Sequence, residues 1–428
     1  MALYKSKSGT LEGALALIKS GDTIATSIYG NEPSSFIGAL HTIAHRLEGV
    51  TLWAMMMMDQ YPVMRDNSLK GRIDIHSIFY NDDCRKGHSS GRFNMLPVDL
   101  HSAAAAMLAE KRPNVFVAAV SPMDENGNVY LSYDLQFSRE TMDGADIVIF
   151  EVNSCIPRVF GDTKVPIAKA DYIYEVSNPL PIAPNSPASF VEKKIAEYVS
   201  SLIKDGDCIQ LGIGGMPNAV GEALLEKKDL GIHTEMLTAS MGRLIRAGAV
   251  TNARKNFNKG KTIGAFAWGD NDLYKCISEN TSVELRRSSY VNYPFNIAQN
   301  DNMVSINTAI QMDLTGQVCS ESIGSLQFSG TGGAFDFAYG AYHSKGGKGI
   351  IALSSTAKGG TISKIQPQLS SGAIVSISRN IVDYIITEYG IAKLKNKTVR
   401  QRVESLIEIA HPDFREELRY QANKLMLW

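Results

Sequence analysis

Apolar residues fall in short runs of strand length, separated by stretches at helical spacing. VFVAAVS from Val115, TIGAFAW from Thr262, MVSINTAI from Met303 and GIIALSS from Gly349 are near-continuous apolar runs, as expected of strands buried on both faces. TVRQRVESLIEIA from Thr398 instead spaces Val399, Val403, Leu406 and Ile407 along one helical face. His411-Pro412 follows, then a final short helix for which Asp413 is the expected N-cap. The alternation predicts an α/β protein with mostly parallel sheets and helices on both faces.

The pattern also repeats. ALIKSGDTIATSIYGNEPSSFIGAL from Ala16 matches SLIKDGDCIQLGIGGMPNAVGEALL from Ser201, first at a shift of 185 residues and then, after a one-residue gap, of 184. Each copy reads as a helix ending in Ile-Lys-x-Gly-Asp, a short strand, a glycine-containing loop closed by Pro33 or Pro217, and a second helix. DGADIVIF at Asp143 resembles SGAIVSIS at Ser371 more weakly. Between the copies, Pro179, Pro181, Pro184 and Pro187 interrupt helix and strand alike. The expectation is two related open α/β domains, 1–185 and 186–428.

Length and charge narrow the class. At 428 residues, 44% hydrophobic and 20% charged, the chain has room for two cores and the composition of a folded protein. Its 43 Lys and Arg balance 44 Asp and Glu, so no overall field draws a polyanion and nucleic acid is not an expected partner. Five scattered cysteines without CxxC spacing argue against disulfide and zinc frameworks and fit a reducing cytoplasm; the cysteines read as buried thiols. No export signal and no long apolar run suggest a membrane partner. The histidines lack HxxxH or HExxH spacing, so no metal site is expected.

Candidate chemistry sits at the glycines. Gly212, Ile213, Gly214, Gly215, Met216 and Pro217 join a strand at Cys208–Leu211 to a helix expected over Asn218–Lys227. Backbone without side chains approaches a ligand closely, and N–H groups at a helix start attract phosphate or carboxylate oxygens. The same spacing also suits a plain tight turn. About twenty residues on, as in dinucleotide folds, Glu235 falls near the end of the strand expected at GIHTEM. It reads as a ribose-binding acid, as a nucleophile for a thioester, or as a surface residue without a task. Pro217 at the third-glycine position weighs against the dinucleotide reading. A second cluster, SGTGGAFDF from Ser329, could aim amides at an oxyanion, and Lys345, Lys348, Lys358 and Lys364 add local positive charge suited to a ligand with several phosphates. Met55 to Met58 read as plastic core or the lining of an apolar pocket.

Together, GIGGMP at Gly212, HTEM at His233, SGTGGAFDF at Ser329, AKGGTISKI at Ala357 and the run from Val382 to Leu418 resemble the acetyl-CoA hydrolase/transferase family of class I CoA-transferases, on the 4-hydroxybutyrate and butyrate branch. The resemblance covers nearly the whole chain. It implies two similar open α/β domains with the active site in the cleft between them, the first on the acyl and carboxylate side, the second carrying the catalytic glutamate and the CoA side. It makes Glu235 the glutamate that passes through an acyl anhydride and a glutamyl-CoA thioester. The Gly212–Pro217 loop becomes the loop at the thioester, Gly332 or Gly333 an oxyanion-hole amide, Asn292 and Glu388 further active-site positions, and Lys358 a residue near the CoA phosphates. Gly30-Asn31-Glu32-Pro33 falls where the acyl acceptor is expected. One departure is visible: bulky Phe335 stands before Asp336 in GTGGAFDF, which by the resemblance would alter the acyl pocket without abolishing the cradle.

The implied activity is transfer of CoA between a short-chain acyl-CoA and a free carboxylate of acetate, butyrate or 4-hydroxybutyrate type, by ping-pong catalysis. No permanently bound cofactor is implied, CoA being substrate and covalent intermediate, and a homodimer or dimer of dimers is expected. An acyl-CoA hydrolase, a dinucleotide-dependent oxidoreductase and a non-catalytic CoA-binding protein are the alternatives.

Overall fold

The structure, a computed structural model, describes residues 2–184 and 187–427. The boundary expected between residues 185 and 186 lies outside the described residues. The chain divides into two compact units, Met1–Ala183 with Ile263–Val291, and Pro184–Thr262 with Asn292–Trp428.

In the first unit, helix α1 (Leu11–Ala16) leads into strand β1 (Thr23–Thr26), followed by α2 (Ser34–Leu40). Strands β2 (Val50–Trp53), β3 (Ile73–Ser77), β4 (Phe93–Met95), β5 (Val115–Val120), β6 (Ile147–Asn153) and β7 (Tyr172–Val176) complete a seven-stranded parallel sheet ordered β4-β3-β2-β1-β5-β6-β7. Every residue of β5 is buried, because helices and loops cover both faces of a parallel sheet and the run therefore has no polar phase. Met57 joins this core, while Met56 and Met58 are partly exposed.

The second unit opens with helix α3 (Phe190–Ser201). Its first turn is closed by a capping box in which Ser189 accepts from the Glu192 N–H and Glu192 accepts from the Ser189 N–H. Strands β8 (Cys208–Leu211), β9 (Gly231–Ile232), β10 (Met303–Asn307), β11 (Lys348–Ala352) and β12 (Tyr384–Thr387) run parallel, and β13 (Gly390–Lys393) turns back beside β12, in the order β9-β8-β10-β11-β12-β13. The two copies of the repeated phrase thus supply β1 and β8, and each strand lies where its sheet changes winding direction: the next strand in sequence lies on one side, and a later one on the other.

Four expectations are corrected. TIGAFAW splits into Thr262–Gly264 and Phe266–Ala267, neither in a main sheet. SGAIVSIS forms no strand beyond one bridge at Ile377, so its likeness to the segment at Asp143 is not structural. The last helix is Pro412–Lys424, thirteen residues long, and its N-cap is His411, whose ring accepts from the Asp413 N–H at 3.3 Å. Cys84, Cys208 and Cys319 are buried, but Cys155 is exposed.

Candidate active site

Glu235 owes its position to a short edge strand. β9 pairs with β8 through Cys208↔Gly231 and Ile209↔Ile232, and the His233 N–H still reaches the Ile209 carbonyl at 3.3 Å. The chain therefore leaves the sheet at its carboxyl end, and Glu235 follows three residues after Ile232. The loop from Gly212 leaves the adjacent strand at the same end, beside the reversal of winding, where open α/β sheets bind their ligands.

The Glu235 carboxylate is partly buried and held by two donors. Asn292, itself fully buried, donates from Nδ2 to Oε2 at 2.9 Å, and the Gly333 backbone N–H donates to the same carboxylate. Asn292 Oδ1 has no hydrogen-bond partner among the described residues. The lack of a side chain at Gly333 leaves room for this contact: a Cβ there would lie 1.8 Å from Glu235 Oε2 and 2.5 Å from Asn292 Nδ2. Gly332 before it takes φ +55°, a left-handed conformation that favours glycine. Gly333 is also the N-cap of helix α5 (Ala334–His343), whose N-terminal N–H groups favour negative charge.

Burial is the largest influence on Glu235 and raises its pKa, with the nearby Asp336 adding to the rise; the bonds from Asn292 and Gly333 oppose them, and the result is a carboxyl pushed up to about 7. A desolvated carboxylate of this kind is more basic than an ordinary one and ionises within the physiological range. Asp336, in the first turn of α5 and fully buried, is an electrostatic neighbour that pattern reading did not single out.

The glycine loop differs from expectation. The helix after β8 is Gly215–Ala223 (α4), not Asn218–Lys227, and Pro217 lies inside its first turn. That turn has no acceptors for its own N–H groups, so a residue without one costs little there. Gly214 is the N-cap with φ +110°, a backbone that only glycine adopts readily, Met216 is buried and Ile213 is exposed.

Other site candidates have bonding partners of their own. Glu388, just past β12, accepts from Ser355 Oγ at 2.6 Å and from the Ser355 N–H at 2.9 Å, tying the loop after β11 to the end of β12. Burial lowers the pKa of Lys364 and the charge of Glu388 opposes that, which makes the lysine part of the same knot. Lys358 is exposed, with φ +49°, in the turn between the paired strands Thr356–Ala357 and Ile362–Ser363. Lys348 begins β11 at the amino end of the strands, opposite the carboxyl end, and pairs with Asp207 at 3.3 Å, so the four lysines do not form one phosphate-binding patch.

In the first unit, Asn31 is fully buried and bonds the Ala119 carbonyl at 2.6 Å and the N–H groups of Tyr133 and Asp134 at 2.6 and 3.1 Å. Glu32 accepts from the Tyr61 hydroxyl and the Met58 N–H, and burial drives its pKa upward.

The N-terminal domain model of the acetyl-CoA hydrolase/transferase family matches residues 2–184, and its C-terminal domain model matches residues 269–422. The chain belongs to that family. It is 42% identical to a succinyl-CoA:cyclohexane-1-carboxylate CoA transferase of Geobacter metallireducens, over 99% of this chain and 96% of the relative. It is 39% identical to a 4-hydroxybutyrate coenzyme A transferase of Clostridium kluyveri, over 99% and 98%. The crystal structure of RipA from Yersinia pestis superposes with a TM-score of 0.94 at 36% identity, covering 100% of this chain and 99% of that one. Relatives named acetyl-CoA hydrolase match at 24–25% identity. No helix among the described residues is long and apolar enough to cross a membrane.

Asn292 offers a direct test of the electrostatics. If an ionised Glu235 is the reacting form, kcat/KM for the acyl-CoA falls about tenfold per pH unit below the Glu235 pKa and levels off above it. Asn292→Ala removes a bond that lowers that pKa, so the midpoint is expected to move to higher pH. A pH–rate profile of the variant superimposable on that of the wild type rules out this role for Asn292.

Proposed function

We propose that the protein is an acyl-CoA:carboxylate CoA-transferase with Glu235 as its covalent nucleophile. The observation that carries this reading is a carboxylate held at Oε2 by Asn292, close against Gly333, at the ligand-binding end of the sheet. Asn292 holds one oxygen and leaves Oε1 to attack the thioester carbonyl. The C–S bond breaks, CoA leaves as thiolate, and an acyl–Glu235 anhydride remains.

The thiolate then attacks the Glu235 Cδ carbonyl and expels the donor acid, leaving a glutamyl-CoA thioester. In this second step, negative charge grows on an oxygen of Glu235 itself, facing Asn292 Nδ2 and the Gly333 N–H, donors already aimed where an oxyanion needs them. An incoming carboxylate attacks the thioester and re-forms an anhydride. The released thiolate takes the new acyl group, and Glu235 is free as carboxylate again.

In this reading, the Gly212–Pro217 loop cradles the thioester, Lys358 meets the CoA phosphates, and Glu388 with Ser355 anchors the loop that leads to Lys358. The half 1–185 contributes the acyl and carboxylate side around Gly30–Pro33, and the half 186–428 contributes Glu235 and the CoA side. The enzyme works in the cytoplasm as a homodimer or dimer of dimers, without a resident cofactor. Its acids are small carboxylates of the acetate, butyrate and 4-hydroxybutyrate type, with succinate and cyclohexane-1-carboxylate completing the panel to assay.

Butyryl-CoA is the discriminating donor. With acetate present, acetyl-CoA should form in step with the loss of butyryl-CoA while free CoA stays low. Accumulation of free CoA at the same rate with or without any acid of the panel would establish a hydrolase instead.

A further inference from the structure

Among the described residues, the edge of β9 that faces away from β8 meets backbone only at one parallel bridge, Leu230↔Val250, and the polar groups of Ile232 beyond it are paired by side chains. The Ile232 N–H donates to Asn252 Oδ1 at 2.9 Å, and the Ile232 carbonyl accepts from Lys255 Nζ at 2.8 Å. Both side chains are about as buried as a core residue, each 4% exposed. A buried ammonium is costly to hold unless its donors are satisfied, so it implies a specific geometric task.

The segment that supplies these groups is itself fixed. Asn252 stands at φ +56°, and its Nδ2 donates to Thr262 Oγ1 at 3.0 Å. Lys255 Nζ also donates to the Lys261 carbonyl at 2.8 Å, closing the loop on itself. Ahead of the clamp, the N–H groups of Thr251 and Asn252 reach the Leu230 carbonyl at 3.1 and 3.0 Å. The lysine stem crosses Gly231, where a Cβ would stand 2.6 Å from Lys255 Cγ. Next along the chain, the His233 ring lies between Phe257 of the same loop, at 6.4 Å, and Phe337 of α5, at 6.2 Å between centroids.

We propose that Asn252 and Lys255 are positioning residues that set the register and direction of β9 and so hold Glu235 against Asn292 and Gly333. Parallel pairing of two residues on one side and a single bridge on the other leaves a short edge strand prone to shift or fray. Side-chain bonds to both polar groups of Ile232 continue the edge pairing beyond that bridge, three residues before Glu235. Both side chains are buried and act through the strand. Their effect reaches the reaction through placement of the attacking carboxylate, where an error of about 1 Å can cost about a hundredfold in rate.

This inference rests on the reading of Glu235 as nucleophile. The test uses full-length Lys255→Met, Gly231→Ala and Asn252→Ser enzymes, the last two keeping the lysine. Butyryl-CoA and acetate are the substrates, with kcat, KM and thermal midpoint measured, and with the rate of CoA adduct formation at Glu235 followed in a single turnover. A drop of about ten- to a hundredfold in kcat and in adduct rate, with KM for butyryl-CoA within about twofold, is expected of each variant. Wild-type kcat in the folded variants, whatever their thermal midpoints, would overturn the proposal and reduce the clamp to a stability element. If Lys255→Met does not fold, Gly231→Ala and Asn252→Ser decide. An absence of adduct at Glu235 in the wild type rejects the nucleophile reading, whereas a wild-type adduct formed equally fast in the variants rejects the clamp alone.

Discussion

Glu235→Gln enzyme is expected to transfer CoA at least about a thousandfold more slowly than wild type, with acyl-CoA binding retained. The amide keeps the volume of the side chain and an oxygen that can still accept from Asn292 Nδ2, so the pocket loses little besides the charge and the nucleophilic oxygen. Because the carboxyl is already partly desolvated, the neutral amide should cost no stability, and the melting temperature should hold or rise. The assay must be made on fresh protein verified by mass, since an amide can hydrolyse back to glutamate and restore activity slowly. A rate near that of wild type would remove Glu235 from the mechanism and make Glu388, bonded to Ser355, the next carboxylate to replace.

Gly333→Ala should be nearly as damaging, for a steric reason. The new methyl would have to occupy space 1.8 Å from Glu235 Oε2 and 2.5 Å from Asn292 Nδ2, so carboxylate and amide must separate or the start of α5 must move. At φ −92° the alanine backbone itself is unstrained, so the damage is confined to the site. The expected result is a loss of about a hundredfold or more in kcat in a folded protein. Activity within about threefold of wild type, with the fold intact, would show that this contact has no part in the chemistry.

Much of the architecture was legible because it depends on local pattern. The runs at Val115, Met303 and Gly349 are buried strands because helices cover both faces of each sheet, and the repeated Ile-Lys-x-Gly-Asp phrase marks the strand at the winding reversal of each unit. The misplaced elements depend on context. Pro217 reads as a helix boundary, but it sits in a first turn where its missing N–H is not needed. His411 supplies a cap that residue statistics would assign to Asp413. The return of 263–291 to the first unit carries no proline or composition signal.

The site divides in the same way. On spacing alone, Glu235 remained open between three roles, and family resemblance gave it one. That Asn292, 57 residues away in sequence, reaches its carboxylate, or that Asp336 raises its pKa, follows from loops meeting at the end of a sheet, and no local periodicity encodes such a meeting. Asn252 and Lys255 escaped notice for the same reason: they bond the outer edge of a two-residue strand from a loop about twenty residues on in sequence.

The most direct test of covalent catalysis is peptide mapping of the wild-type enzyme after incubation with butyryl-CoA and no acceptor acid. With no carboxylate to complete the cycle, the account predicts CoA in thioester linkage on the peptide containing Glu235, discharged when acetate is added, with acetyl-CoA as the product. Steady turnover in the presence of acetate without any such adduct, or an adduct on a different carboxylate, would contradict it.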